Sequence, residues 1–285
     1  MYYEYKLTWE NWKGDSIDLT DERGGIYLDR VEGLNPVKAE LSTASSPYRD
    51  GARLTNTRIG VRNIVAYFNL CSDVEKNKAQ LYALFRKKKE GTLRYKSSER
   101  DVYIKAYVED ITPNQYENPV SVQIVLVCLD PYFVDAQAIV TEIGNSFARL
   151  RFKLAIAKPR PFGVYRENTL QTIKNGGDVE LGMTIHVYAR GRAELPKIYN
   201  DVTGEFFELS LELFAGDEVV IDTNEGQHSV TLVRNAEYYN VFNAKTIGST
   251  WLQLDVGENV FGATANVGAD ALSFKIIAAE RYEGV

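Results

Sequence analysis

The sequence predicts a mainly β protein with one α-helix, divided into two domains. Aromatic residues make up 12% of the chain, with 18 Tyr among them, and stretches rich in Val and Ile alternate apolar and polar residues. Aromatic and β-branched side chains fit the pleated surface of a sheet. Alternation with a period of two is typical of a half-buried strand. At 285 residues the chain is long enough for one large domain or two ordinary ones.

The strongest strand signal lies between Phe206 and Val233. Apolar and polar side chains alternate there in three segments, with turn residues around Gly216 and Gly226. We predict three antiparallel strands joined by two tight connections. A sheet with one face this apolar requires a second layer. The residues expected to face inward are Phe207, Leu209, Leu211, Leu213, Val219, Ile221, Val230 and Leu232.

The N-terminal segment predicts a β-hairpin with an aromatic face. Tyr5, Leu7 and Trp9 alternate with polar residues, and residues 11–16 supply a turn. A lone hairpin is not stable in water unless its apolar face is covered. Trp9 and Trp12 are therefore interpreted as core residues or as residues of an interface, in preference to ligand-binding residues.

The stretch from Leu41 to Gly51 is rich in Ser and Thr and contains Pro47. It predicts a long loop or an arm, and loops of this length in compact domains are usually functional or reach toward a neighbour. This stretch and the N-terminal hairpin are the predicted inter-subunit contacts. The candidate residues of an oligomer interface are Trp9, Trp12, Tyr48 and Arg49.

One helix is predicted, starting at Ser72. Ser72 and Glu75 have the spacing of a capping box. The basic residues 86–89 suit the negative end of the helix dipole, and Gly91 is expected to end the helix. An apolar stripe indicates packing against a sheet. Its members are Val74, Leu81, Leu84 and Phe85.

The second domain is predicted to be a β-sandwich or jelly roll of eight or more short strands. The pattern includes a strand through residues 138–143, a continuation from Phe147 to Leu154, and a last strand at residues 272–276. Pro131 is well placed to end a long strand. The predicted domains are residues 1–134 and 135–285.

Composition argues against several classes of function. The formal net charge of −6 and a pI near 5.2 give no global reason to expect specific nucleic-acid binding. Two histidines and two cysteines form no metal-binding spacing, and Cys71 and Cys128 are each expected to be buried in a strand. No apolar run is long enough to cross a membrane, and synthesis in the cytoplasm is expected. No nucleophile motif with a partnered base indicates an enzyme, and no cofactor or metal is predicted.

Several segments, in order, resemble the distal tail protein of long-tailed bacteriophages and their prophages. The most specific are Asp130–Phe133, Gly216–Leu232 and Trp251–Val285, which includes the ending Glu-Arg-Tyr-Glu-Gly-Val. A looser match covers Gly33-Leu34 and Arg62-Asn63-Ile64. The resemblance implies a ring-forming N-terminal domain, barrel-like or a β-sandwich, followed by a galectin-like jelly-roll sandwich similar to carbohydrate-binding modules.

The same resemblance implies a structural protein of the virion, located in the tail tip or baseplate. It implies a homo-hexameric ring that joins the tail tube protein to a tail-associated or baseplate hub protein, with receptor-binding proteins as further partners. DNA would pass through the lumen of such a ring without specific recognition. No residue is expected to perform chemistry.

A second interpretation is a carbohydrate-binding protein that contacts glycans of the host cell surface. Jelly-roll sandwiches include many lectin domains, and Trp251 is the candidate residue for stacking on a sugar. The interpretation predicts exposed, coplanar aromatic rings around Trp251. Fold alone does not establish it.

Overall fold

A computed structural model describes residues 4–46, 48–144 and 170–285 of the chain. Within these residues the protein is mainly β with one α-helix, which confirms the predicted fold class. The predicted strand between Phe147 and Leu154 lies outside the described residues. Chain contacts divide the protein into a first unit, Met1–Gln137 with Arg281–Val285, and a second unit, Ala138–Glu280. The predicted domains were 1–134 and 135–285.

The elements up to β10 are β1 (Lys6–Glu10), β2 (Ser16–Asp18), a 3-10 turn (Glu22–Gly24), β3 (Ile26–Glu32), β4 (Ala39–Ser46), β5 (Arg49–Ile59), β6 (Arg62–Leu70), α1 (Val74–Leu84), β7 (Glu90–Lys96), β8 (Asp101–Asn114), β9 (Val120–Cys128) and β10 (Phe133–Gly144). The later elements are β11 (Leu170–Asn175), β12 (Thr184–Ala189), β13 (Ala193–Asn200), β14 (Phe206–Glu208), β15 (Glu212–Leu213), β16 (Glu218–Asp222), β17 (Ser229–Arg234), β18 (Glu237–Asn240), β19 (Gly257–Val267) and β20 (Leu272–Tyr282), with 3-10 turns at Phe242–Ala244 and Ala269–Ala271.

The first unit is built on one antiparallel sheet with the strand order β2-β1-β7-β8-β9-β6-β3. The long strand β8 pairs with β7 through its first half and with β9 through its second. Among the described strands no pairing joins β2 to β3, so the order is open. The inward side chains of the sheet form one hydrophobic core with Leu81, Leu84 and Phe85 from the helix region, as the predicted apolar stripe requires.

The predicted limits of the helix are wrong at both ends. The helix begins at Val74, and its N-cap is Asp73 in the left-handed conformation with no side-chain cap hydrogen bond, so Ser72 and Glu75 form no capping box. It ends at Leu84, well before Gly91, which lies in β7. The early ending follows from the core, because Phe85 is fully buried and turns the chain inward.

The stretch predicted as a loop or arm is a β-hairpin with two register shifts, between Ser42 and Thr43 and between Ser45 and Ser46. Strands β4 and β5 pair with each other from Ala39↔Ile59 to Ser46↔Arg49 and with no other described strand. Its serine and threonine content is typical of a loop, but the backbones of β4 and β5 pair with each other as an antiparallel ladder. The arm interpretation therefore holds and the loop interpretation is wrong.

The second unit is a sandwich of two antiparallel sheets that share one core. One sheet has the order β18-β17-β16-β12-β20-β10, and the other has β11-β19-β13-β14 with β15 also on β13. Inward residues of both sheets belong to a single hydrophobic cluster. Between β12 and β20 the chain passes repeatedly from one sheet to the other, as in a jelly roll.

The segment from Phe206 to Val233 is not the three-stranded meander that its pattern predicts. Strands β14 and β15 pair with β13 in one sheet, while β16 and β17 pair in the opposite sheet. The long first strand is interrupted because Ser210 N donates to Ala244 O at 2.7 Å. Seven of the eight residues expected to face inward are nevertheless buried, and Leu211 is half-buried.

The two cysteines have different environments. Cys128 is buried at the end of β9, as predicted, whereas Cys71 follows β6 and is exposed. The prediction for Cys71 is wrong because the strand ends one residue earlier, at Leu70. Burial raises the pKa of the Cys128 thiol to about 12.

Candidate assembly surfaces

The arm, defined here as β4 and β5, exposes nearly all of its side chains. Every residue from Glu40 to Arg58 whose side chain is described is exposed. Paired residues of an antiparallel ladder share a face, and the register divides the arm into two faces. The charged face carries Glu40, Ser42, Ala44, Arg53, Asn56 and Arg58; the uncharged face carries Leu41, Thr43, Ser45, Ala52, Leu54 and Thr57.

The two faces of the arm differ in chemistry. On the charged face, Arg58 Nε donates to Glu40 Oε2 at 2.6 Å, so these two opposite charges pair with each other on the exposed surface of the arm. On the uncharged face, Leu41 and Leu54 are 64% and 53% exposed. An uncharged, partly apolar face of a projecting hairpin is suited to contact with another protein surface.

The sequence-predicted interface residues fall in different places. Trp9 is buried in the core, stacked on Phe85 at 4.9 Å, and its Nε1 donates to Leu84 O at 3.1 Å. It therefore offers no surface to a partner. Trp12 is 36% exposed and Tyr48, at the tip of the arm, is 98% exposed. The side chain of Arg49 lies outside what the structure describes. Contact of Trp12 and Tyr48 with another subunit stays a prediction.

A buried arginine connects four separate parts of the first unit. Arg62, 1% exposed, donates to the carbonyl oxygens of Pro131 at 2.6 Å, Gly33 at 2.5 Å, Asn35 at 2.8 Å, and Glu283. Its guanidinium also lies over the Phe133 ring. Burial lowers the pKa of Arg62 below its usual value. Backbone carbonyls here take the place that a carboxylate usually takes beside a buried cation.

The last residues of the chain add further contacts to this cluster. Arg100 donates to Gly284 O at 2.6 Å, and Val285 N donates to Leu34 O at 3.1 Å. Arg281 donates to Asp130. We call this arrangement the C-terminal clasp: Arg62 and Arg100, the carbonyls of residues 33–35 and 131, and residues 281–285. Sequence reasoning did not find the clasp, although four of the segments that carry the resemblance contribute to it: Gly33-Leu34, Arg62-Asn63-Ile64, Asp130–Phe133 and the end of Trp251–Val285.

Trp251, the candidate sugar-stacking residue, is half-buried in an aromatic cluster. His228 stacks parallel to its ring at 4.3 Å, while Phe207 and Phe242 are tilted by 48° and 33°. His228 therefore occupies one face of the indole, and the neighbouring phenyl rings are not coplanar with it. His228 lies immediately before β17.

Within the described residues, no group of three His, Cys, Asp or Glu residues could hold a metal ion. No described helix is long and apolar enough to span a membrane. An open concavity of about 840 Å³ lies on the sheet beside Lys6, Arg94 and Lys96. Its cations pair with Asp18 and Asp101, so its charge is largely balanced.

Two family models match the chain, one in each unit. The model described as phage tail protein RIFT-related domain matches residues 14–128, and the model described as siphovirus-type tail component, C-terminal domain, matches residues 176–276. The chain belongs to the siphovirus distal tail protein family. Membership in this family makes the chain a structural component of a phage tail. No curated protein matches it in sequence.

Solved structures share the fold of this distal tail protein. One is the SPP1 Dit (gp 19.1) protein, described as a paradigm of hub adsorption apparatus in Gram-positive infecting phages. It is 14% identical with a TM-score of 0.70, covering 97% of this chain and 98% of that one. A chain of the phage P2 baseplate in its activated conformation with Ca is 13% identical in sequence, with a TM-score of 0.52, and the match covers 99% of both chains. A chain of the phage p2 baseplate in its activated conformation with Sr is 13% identical, with a TM-score of 0.50, and the match covers 96% of this chain and 97% of that one. At these identities the likeness shows the fold alone.

Proposed function

We propose that this distal tail protein assembles into a ring of six copies at the far end of the tail tube. One side of the ring docks on the tail tube protein, and the other carries the baseplate hub and receptor-binding proteins. The first unit builds the ring, and the sandwich supports host-recognition parts. The observation that carries the proposal is the exposed arm, which pairs with no other described strand. The family to which the chain belongs supports the same proposal.

The arm requires a partner for physical reasons. An isolated two-stranded hairpin is marginally stable in water, and an exposed edge strand invites pairing with another chain. Burying a Leu side chain completely contributes roughly 1.5–3 kcal/mol. Leu41 and Leu54 together would then contribute roughly 3–6 kcal/mol per contact before ordering costs.

A neighbouring copy is the partner that suits the arm best. A head-to-tail contact uses two different surfaces of each subunit, and a ring closes such contacts so that no arm is left without a partner. The function is then mechanical: interface energy holds the tube and the baseplate together, and no residue performs catalysis. The fold it shares with SPP1 Dit, whose description names a hub adsorption apparatus, supports this proposal. The protein would be synthesised in the host cytoplasm and would act in the virion, with DNA passing through the ring.

The proposal is tested by the native mass of the purified chain. We expect a species of about six times 32.2 kDa in native mass spectrometry or light scattering, alone or with tail tube protein. Leu41→Glu with Leu54→Glu places charges on the uncharged face of the arm and should give monomers. Ser42→Glu with Asn56→Glu adds the same charge to the opposite face and should leave the ring intact. A wild-type chain that stays monomeric in both conditions contradicts the proposal.

A further inference from the structure

A run of four basic residues forms a sharp turn after helix α1. Residues Arg86 to Lys89 are all exposed, and Lys88 has a φ of 66° that turns the chain toward β7. Lys87 donates to Asp110 Oδ1 at 2.7 Å. In the described part of the chain, no ion pair involves Arg86, Lys88 or Lys89. The helix dipole does not account for the run, because the helix already ends at Leu84.

The turn between β1 and β2 adds an aromatic ring and another cation beside this run. Arg86 and Lys13 lie 6.0 Å and 5.6 Å from the centroid of the Trp12 ring. Asn11 is buried, and its Oδ1 accepts hydrogen bonds from Lys13 N at 2.9 Å and Asp15 N at 3.0 Å. This turn is therefore fixed by its own hydrogen bonds, and Trp12 holds two cations near one another.

The core places the two turns side by side. Trp9 of β1 donates to Leu84 O, the last residue of the helix, and stacks on Phe85. A Cβ at Gly91 would lie 2.3 Å from the Trp9 ring, so only glycine allows β7 to approach this closely. Buried contacts therefore fix the backbone of the two turns that carry these cations.

We infer that Trp12, Lys13, Arg86, Lys88 and Lys89 form a docking surface for an acidic face of a second copy of this chain. The whole chain carries a net charge of −6, so the acidic excess lies outside this surface and another copy supplies the complementary carboxylates. Cations that have no ion-pair partner within the described residues favour carboxylate partners, and such pairs set register. The same acidic excess disfavours duplex DNA. The inference rests on the proposed ring.

Charge reversal tests this surface. Lys88→Glu with Lys89→Glu should raise, by at least tenfold, the protein concentration below which the ring dissociates. Moderate salt screens surface charges, so it should weaken self-association of the wild type toward the level of the variant. Lys76→Glu with Lys174→Glu changes the net charge equally at exposed sites elsewhere and should leave dissociation unchanged. Trp12→Ala should weaken the ring without shifting the thermal unfolding midpoint.

The outcomes separate this inference from the proposed function. A wild-type ring whose dissociation is unaffected by the reversal overturns the docking surface and leaves the ring proposal intact. A wild-type chain that never self-associates overturns both. Binding of a short DNA duplex in a mobility-shift assay that the reversal abolishes, with self-association unchanged, overturns the inference in favour of a nucleic-acid surface.

Discussion

Arg62, at the start of β6, donates a hydrogen bond to the backbone carbonyl of Glu283, 221 residues further along the chain. The same guanidinium reaches Gly33, Asn35 and Pro131. One side chain thus connects its own strand with three further segments of the first unit: residues 33–35, Pro131 and Glu283. The planar guanidinium has five donors in a fixed fork, which is the geometry that such a junction needs.

Arg62→Met is expected to destabilise the first unit by about 3 kcal/mol, because four part-buried backbone carbonyls would lose their donor. Urea unfolding followed by tryptophan fluorescence measures the change, since Trp9 lies in the same core. Arg53→Met on the exposed arm is the control and should change stability by less than about 0.5 kcal/mol. Equal effects at the two positions would show that the clasp contributes nothing.

Gly284→Ala should weaken the clasp sterically. A Cβ at residue 284 would lie 2.7 Å from Pro36 Cδ and 2.9 Å from Pro36 N. Crowding of this kind costs about 1–3 kcal/mol, and the unfolding midpoint should fall accordingly. At Gly24 an added Cβ meets nothing within 4 Å, so Gly24→Ala should be tolerated. A midpoint for Gly284→Ala that matches the wild type would contradict the close packing.

The second unit should lose stability in acid through Asp217. Asp217 is buried and accepts hydrogen bonds from Arg234 at 2.9 and 2.5 Å and from Phe214 N at 2.8 Å. Its pKa is lowered from 3.8, with the Arg234 hydrogen bond as the main cause. A lowered folded-state pKa gives stability that is present above the unfolded pKa and is lost as pH falls through the folded value.

Asp217→Asn should therefore lower the unfolding temperature at pH 7, and the difference from wild type should shrink as pH drops below about 4. Calorimetry between pH 2 and 7 gives the comparison. Glu225→Gln, in an exposed turn near the same sheet, is the matched control and should leave the wild-type pH profile unchanged. A difference that stays constant with pH would rule out the ion pair as its cause.

The two thiols should differ sharply in reactivity. Cys71 is exposed, whereas burial raises the pKa of Cys128 to about 12. The thiolate is the reactive form, so a thiol reagent at pH 8 should modify one thiol per native chain and two after unfolding. Cys71→Ser should abolish the native reaction, and Cys128→Ser should preserve it. Two fast thiols in the native chain would contradict the burial of Cys128.

Local patterns in the sequence predicted much of this protein. Alternation identified the N-terminal strand and the inward residues between Phe206 and Val233, and the apolar stripe identified the face of α1. These signals are local because burial selects side chains at a period of two in strands and near 3.6 in helices. The same reasoning missed the limits of α1, because the Phe85–Trp9 packing that ends it comes from a strand 75 residues away from Leu84.

Tertiary structure alone decided the pairing of the strands and the role of individual side chains. The sequence indicated an apolar segment at Phe206–Leu213, but pairing with β13 and residues 244–245 assigned it to the sheet opposite β16. Sequence patterns led to the same interpretation of Trp9 and Trp12, as core or interface residues. Tertiary packing places Trp9 in the core and Trp12 at the surface. The residue pattern sets which side chains must be buried, whereas the partners depend on contacts between distant segments, which no local pattern encodes.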